Sequence, residues 1–561
     1  MQYSRRRKSL FRNRAQLALL PLAMFILSNP LVTATQPNSP EKPATNDRDG
    51  SARRIRGLIH QDQTWSGRIL IIGDTQIIGA VVDIEPGTEI LFAGAEPGHN
   101  PVLTVGSAEE KHGSIRLAPD EARPVYFGVA EHAQPGAIIV YLPPPPPNDS
   151  AAGSRFRWRG VRFTGVGFER ADRKGATKTA SQRVPAITVN CAENGTTVEL
   201  DDCRFTDGSG VLIRAGADSR IKITDCELAA VDATSLTISR TARPDFAGKI
   251  DIRDNNLNSG IMLDGVNGEI VGNTIAGDSA SLLITSRIGT GSRIEDNLLN
   301  RRCAATPGTY ALSVNSPAST ITNNIIIGAE TCVLAGPRTM MGNIIMAQPP
   351  AAHSFDQPRS RKLVASLPQG ARFEKNYLIG PTGAMLAPWP MRSPGADSEP
   401  ERRRTTIKNN VFDGAGNTAW AVELDAAGRP VPIAIENNLF MRLENIVINK
   451  SGGPIDDFTA GFNAFYPPPR RKYDRFDPAE TEPGNGDHAF KSIMDLGLAN
   501  RTESDDREFR ANELARQAKL LQDNDRAGFR RHIVERYRPG KNSPLMGAGR
   551  PGSGSANIGP G

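Results

Sequence analysis

Hydrophobic residues in this chain come in short bursts between polar turns, without the three-to-four spacing of a helix. In TTIKNNVFDG (405–414) and IAIENNLFM (433–441) one order repeats: apolar residue, two free positions, Asn, one free position, apolar residue. The order returns as LDDCRF, ITDCEL, IRDNNL, IVGNTI, IEDNLL, ITNNII, MMGNII, FEKNYL, IKNNVF, IENNLF and AGFNAF. These copies start at 200, 223, 252, 270, 294, 321, 340, 373, 407, 435 and 460, a mean step of 26 residues. An array of regular period predicts a repeat architecture.

The fourth position holds Cys203, Cys226, Asn255, Asn273, Asn297, Asn324, Asn343, Asn376, Asn410, Asn438 and Asn463. The apolar residues on either side can share one core only if the backbone bends between them. Asn tolerates the left-handed conformation that such a bend needs. If each copy is one circuit of a coil, successive Asn side chains stack about 4.8 Å apart, the strand-pairing distance. Their amides can then satisfy one another as a buried ladder.

Second strands lie between the copies: GVLIRA (210–215), SLTIS (235–239), GIMLD (260–264), SLLIT (281–285) and ALSVN (311–315). Alternation puts Val211/Ile213, Leu236/Ile238, Ile261/Leu263, Leu282/Ile284 and Leu312/Val314 inside. Each circuit therefore holds two or three short strands, paired in parallel with the circuits before and after. The frame of a leucine-rich repeat and the Trp-Asp pairs of propeller blades are both missing.

With 54 Gly, 42 Pro and 6% aromatic residues, the composition is that of a turn-rich chain. The net charge of +6 misleads. Residues 1–34 carry Arg5, Arg6, Arg7, Lys8, Arg12 and Arg14 and no acid; without them basic and acidic residues balance at 61 each. No nucleic-acid partner is expected. The same 34 residues combine a basic start, the apolar run AQLALLPLAMFILS and small residues near Ala34, which predicts an export signal. The run is short for a membrane span. The protein is expected outside the cell or in the cell envelope, as a monomer with no membrane span once the signal is cleaved.

Boundaries follow from these shifts: signal peptide 1–34, disordered leader 35–57, N-terminal coil circuits with a Pro-rich insertion 58–170, repeat domain 171–466, and a loop with a helical tail 467–561. Residues 94–157 read as less regular, and 466–487 as a loop. Residues 507–538 are helix-prone, with Phe509, Leu514, Leu520, Leu521, Phe529 and Ile533 as contact residues. A coil exposes strand edges at its ends, so the tail is expected to pack over it.

The array over 200–465, the entry VVDIEPGTEILF (81–92) and the ending GKNSPLMGAG (540–549) resemble the right-handed parallel β-helix superfamily typified by pectate lyases. More narrowly, they resemble exported proteins of the right-handed β-helix region type. The resemblance implies an all-β fold: a right-handed parallel β-helix solenoid with an irregular N-terminal cap region and a partly helical C-terminal tail. It also implies an extended polysaccharide or cell-envelope glycan as ligand. Calcium is implied only for a lyase, and no other cofactor or metal is expected.

The resemblance carries no reaction. The polygalacturonase-like set is not present, the seven histidines lie outside the array strands, and Asp201-Asp202 and Asp456-Asp457 read as turn residues. No catalytic residue is assigned. One column is left as either a saccharide-binding strip or an ordinary solvated sheet face: the residue after the second inward position reads Arg214, Ser239, Asp264, Thr285 and Asn315, a polar stripe about 20 Å long. The expectation is a β-helix that binds or scaffolds extended polysaccharide. The alternatives are a lyase or glycosidase of the same superfamily, and a purely structural surface protein. Cys303 and Cys332, one step apart, are left as either a disulfide or buried thiols.

Overall fold

The computed structural model describes residues 52–559 with interruptions, the longest at 144–153, 171–181, 302–309, 348–362, 390–403, 425–431, 450–457, 475–484, 500–515 and 550–556. The chain divides into two compact units, 1–46 and 47–561, and the first lies outside the described residues.

The second unit is a right-handed parallel β-helix. Nearly every strand pairs in parallel with the strand one circuit earlier and one circuit later. Each circuit contributes three faces. The first contains a 12-stranded sheet that begins at Arg155–Arg159 and ends at Phe458–Gly461. The second and third are joined in a 29-stranded sheet, because Arg68–Ile77, Val411–Leu424 and Leu439–Asn449 each run across both.

The motif sits at the corner between the first and second faces. Its first and sixth positions point inward; Ile294, Leu299, Ile321 and Ile326 are all 0–1% exposed. The second strands do the same, with Val211, Ile213, Leu236, Ile238, Ile261, Leu263, Leu282, Ile284, Leu312 and Val314 buried. At both ends of the array the sixth position stacks phenylalanines: Phe163 over Phe205 at 4.3 Å, and Phe412 over Phe440 at 5.0 Å between ring centroids.

The left-handed residue is not the ladder Asn but the one before it. Asp202, Asp225, Asp254, Asp296, Asn323, Lys375, Asn409, Asn437 and Phe462 have φ between 47° and 58°, and Gly272 and Gly342 stand at the same place with φ of 69° and 68°. Asp, Asn and Gly tolerate that region best, so the third motif position is the bend. The fourth is thereby free to point its amide into the coil.

Three finer readings differ from the structure. The first strand, Arg53–Ile59, begins within the last residues of the segment read as a leader and runs past its end. Residues 94–157, read as less regular, supply Val102–Val105, Tyr126–Val129, Ala137–Leu142 and Arg155–Arg159, all in register with the coil. Within 466–487, read as a loop, Arg471–Asp474 pairs in parallel with Leu439–Asn449, and just beyond it His488–Ala489 pairs in parallel with Ala464–Tyr466. These circuits were hard to read because their corner residues are Thr88, Val125, Val161 and Asp487 instead of Asn, while backbone bonding through the corner is the same.

A second hydrophobic cluster lies outside the coil. The fifth motif position is polar in early copies (Arg204, Glu227, Asn256) and apolar from Leu298 onward: Ile325, Ile344, Tyr377, Val411, Leu439 and Ala464. All seven apolar residues are buried by the tail, chiefly by Phe529, Ile533 and Tyr537 of and beside the helix Arg526–Arg536. Leu520 and Leu521 pack against the same cluster, whereas Phe509 and Leu514 lie outside the described residues.

Candidate functional site

The stripe Arg214, Ser239, Asp264, Thr285 forms one column on the third face, each residue paired with the next. Asn315 follows just past its strand, and its backbone N–H donates to the Ile284 carbonyl at 2.9 Å. Arg214 and Ser239 are half-buried, while Asp264 and Asn315 are exposed. The Thr285 backbone keeps the register.

Pairing extends the column two circuits earlier, to Asn190 and Tyr141. Sequence reasoning missed both, although AIIVYL (137–142) and ITVNC (187–191) show the same alternation. Arg214 Nη1 donates to Asn190 Oδ1 at 3.2 Å, which orients the guanidinium along the stripe. Two residues earlier on each strand runs a second outward column: Ile139, Thr188, Leu212, Thr237, Met262, Leu283 and Ser313. Ile139, Leu212, Met262 and Leu283 are half-exposed. A polar lane thus lies beside a mainly apolar one, both following the coil axis.

The first face differs. On its middle outward column acids and bases pair from circuit to circuit. Arg157 Nε lies 3.1 Å from Glu199 Oε2, Lys222 Nζ 3.7 Å from Glu199 Oε1, and Arg293 Nη1 3.9 Å from Glu269 Oε2. Arg253 holds both Asp251 and Glu269. Its guanidinium pKa is raised first by the hydrogen bond to Asp251. Carboxylates already shared with guanidinium groups do not fit a calcium ion. Among the described residues, no group of three or more His, Cys, Asp or Glu could hold a metal ion.

Asp201 and Asp202 are adjacent in sequence but serve different surfaces. Asp201 accepts from Thr224 Oγ1 at 2.8 Å and pairs with Arg159 on the first face, while Asp202 is a corner residue beside Arg162. Asp456-Asp457, Cys303 and Cys332 lie outside the described residues. Late in the first face, Glu374, Lys408 and Glu436 stack in register. Lys408 Nζ is 2.9 Å from Glu436 Oε2, and Thr459 Oγ1 donates to Glu436 Oε1 at 3.0 Å. Glu436 is 1% exposed although its column faces outward.

The corner ladder is continuous from Asn255 to Asn463. Each Nδ2 donates to the Oδ1 of the next circuit, as in Asn255 to Asn273 at 2.9 Å, Asn297 to Asn324 at 2.9 Å and Asn438 to Asn463 at 3.1 Å. Each Oδ1 also accepts the backbone N–H of the preceding rung, as Asn324 does from Asn297 at 3.0 Å. Every amide is saturated, so the ladder is structural and offers nothing to a ligand. Comparison with family models, with curated proteins and with solved structures finds no match.

Proposed function

We propose that this protein is an exported, pectate-lyase-like β-helix that binds extended polysaccharide along the third face without cleaving it. The supporting observation is the register of the Tyr141–Asn190–Arg214–Ser239–Asp264 lane beside half-exposed Ile139, Leu212, Met262 and Leu283. Sugars present hydroxyls at their edges and C–H groups on their faces, so a polar lane next to an apolar one matches both. Export rests on the basic and apolar start of the chain. Replacing Arg214 and Asp264 together by Ala should weaken glycan binding about tenfold or more, the loss of charged hydrogen bonds. Unchanged affinity across a glycan panel would remove the third face as the site.

A second reading has its own observation. Glu374 and Glu436 stand two rungs apart on one outward column, about 9.6 Å between their strands, which lets their carboxyl groups lie at a comparable separation. An inverting glycosidase holds its carboxyl groups about 6.5–9.5 Å apart. Lys408 stands in register between them and pairs with Glu436 at 2.9 Å, so its ammonium competes with any acid or base role for that carboxylate. Binding without hydrolysis is therefore preferred; new reducing ends that vanish in Glu374→Gln and Glu436→Gln would reverse that preference.

A further inference from the structure

The corner column changes chemistry at two neighbouring rungs. Where the next nine copies place an amide, Cys203 and Cys226 place thiols. Pairing of Asp201 with Thr224 and of Arg204 with Glu227 sets the two cysteines side by side. They are 0% and 2% exposed. Asn255 closes the pair on one side, its Oδ1 accepting the Cys226 N–H at 2.9 Å. Cys203 Sγ donates towards the Asp201 and Trp158 carbonyls at 3.5 and 3.6 Å, and Cys226 Sγ to the Thr224 carbonyl at 3.2 Å. Interaction with its neighbour holds the Cys203 thiol below the usual range and, together with burial, drives Cys226 well above it. Both are free thiols.

Rung geometry decides what the pair can hold. Side chains in register on neighbouring parallel strands stand about 4.8 Å apart. A disulfide needs sulfurs about 2.05 Å apart and Cβ atoms about 3.8 Å apart, so the rungs would have to be drawn together. A zinc–thiolate bond is about 2.3 Å long, and bonds of that order place the two sulfurs of a linear site about 4.6 Å apart. That is close to the rung spacing. Two ligands alone do not make the tetrahedral site that structural zinc requires. They suit a soft, closed-shell ion, which thiolates select.

We propose that Cys203 and Cys226 form a linear two-thiolate site for one thiophilic monovalent cation of the Cu(I)/Ag(I) class. On uptake two S–H bonds break, two metal–sulfur bonds form and two protons pass to solvent; nothing is oxidised. The test is titration of the reduced, full-length protein with Ag(I), and with Cu(I) under argon. One tight equivalent, two protons released per ion and two sulfur neighbours in the Cu(I) X-ray absorption spectrum are expected. Cys203→Asn and Cys226→Asn install the residue the rest of the column already uses, so the coil persists while affinity falls at least a hundredfold. Cys226→Ser serves as the further variant if either Asn substitution misfolds. Cys191→Ser and the Cys303→Ser/Cys332→Ser pair should keep the equivalent. Tight binding that survives Cys203→Asn and Cys226→Asn, a single sulfur neighbour, or weak uptake without proton release (an adventitious ion only) would overturn the site.

Discussion

A single amide shows what holds the coil together. Asn324 Oδ1 accepts two bonds from Asn297, and its Nδ2 donates to the Ile294 carbonyl at 2.9 Å and to Asn343 Oδ1 at 3.1 Å. All of these partners are sealed from water. Asn324→Ala orphans several of them at once, at about 1–3 kcal/mol per group, and should destabilise the protein by about 4 kcal/mol. Asn324→Asp keeps the acceptor but cannot donate to Ile294, and it sets a carboxylate against the Asn343 oxygen. Its loss should be largest at neutral pH and partly recovered in acid, where the protonated group donates once. Urea midpoints at several pH values check both. An Asn324→Ala protein as stable as the parent would show that the ladder follows the coil without supporting it.

At the scale of elements, the tail is addressed by one motif column. An outward fifth position needs no particular residue until something covers it. From Leu298 to Ala464 that position is apolar, and the helix Arg526–Arg536 covers it. Helix and rungs run together. Arg526 Nη1 donates to the Asp296 carbonyl at 3.0 Å, and one turn later Arg530 Nη1 donates to the Asn323 carbonyl at 3.1 Å. The guanidinium groups cap carbonyls at the corners, where the bend turns them outward. Burial alone would raise the pKa of Asp413 below the helix. Arg442 and Tyr537, which donates to Asp413 Oδ2 at 2.6 Å, hold it well below the usual carboxylate range. Phe529→Ala should cost about 3–5 kcal/mol of docking free energy, as core truncations of Phe do. Faster hydrogen exchange in the tail, with the central rungs unchanged, is the expected reading.

Across the whole molecule two buried carboxylates pull stability in opposite directions. Asp413 has a depressed native pKa, so its contribution is present above the unfolded value of about 4 and is lost as the pH falls below it. Asp487 ends the ladder, accepting from the Asn463 N–H at 3.0 Å and from Tyr473 Oη at 3.1 Å. Its side chain is 1% exposed. Burial raises its pKa, against the lowering effect of the Asn463 bond and Lys472. A raised carboxyl favours folding in acid, and that contribution is lost as the pH climbs through the native value. Asp413→Asn should flatten the acid limb of the stability profile, and Asp487→Asn the limb above about pH 4. Thermal midpoints from pH 3 to 8 separate the two, and identical profiles would refute the assignment.

What the sequence determined by itself was the coil. A period near 26 residues, apolar residues flanking a bend and Asn at one fixed place leave few other ways to bury both the apolar and the amide groups. The third position as the bend was equally visible in its run of Asp, Asn and Gly. So was the tail's landing site, in the switch from Asn256 to Leu298 and Ile325. Both are one-residue columns, which emerge only once the copies are aligned by circuit. Tertiary structure alone decided the rest: that Thr88, Val125, Val161 and Asp487 occupy the same corner as the asparagines, that Tyr141 and Asn190 complete the third-face lane, and that Asp413 meets Tyr537 across 124 residues. In a solenoid, chain neighbours say what one circuit looks like. Which residues stack depends on how much chain each circuit consumes, and variable loops hide that length from the sequence.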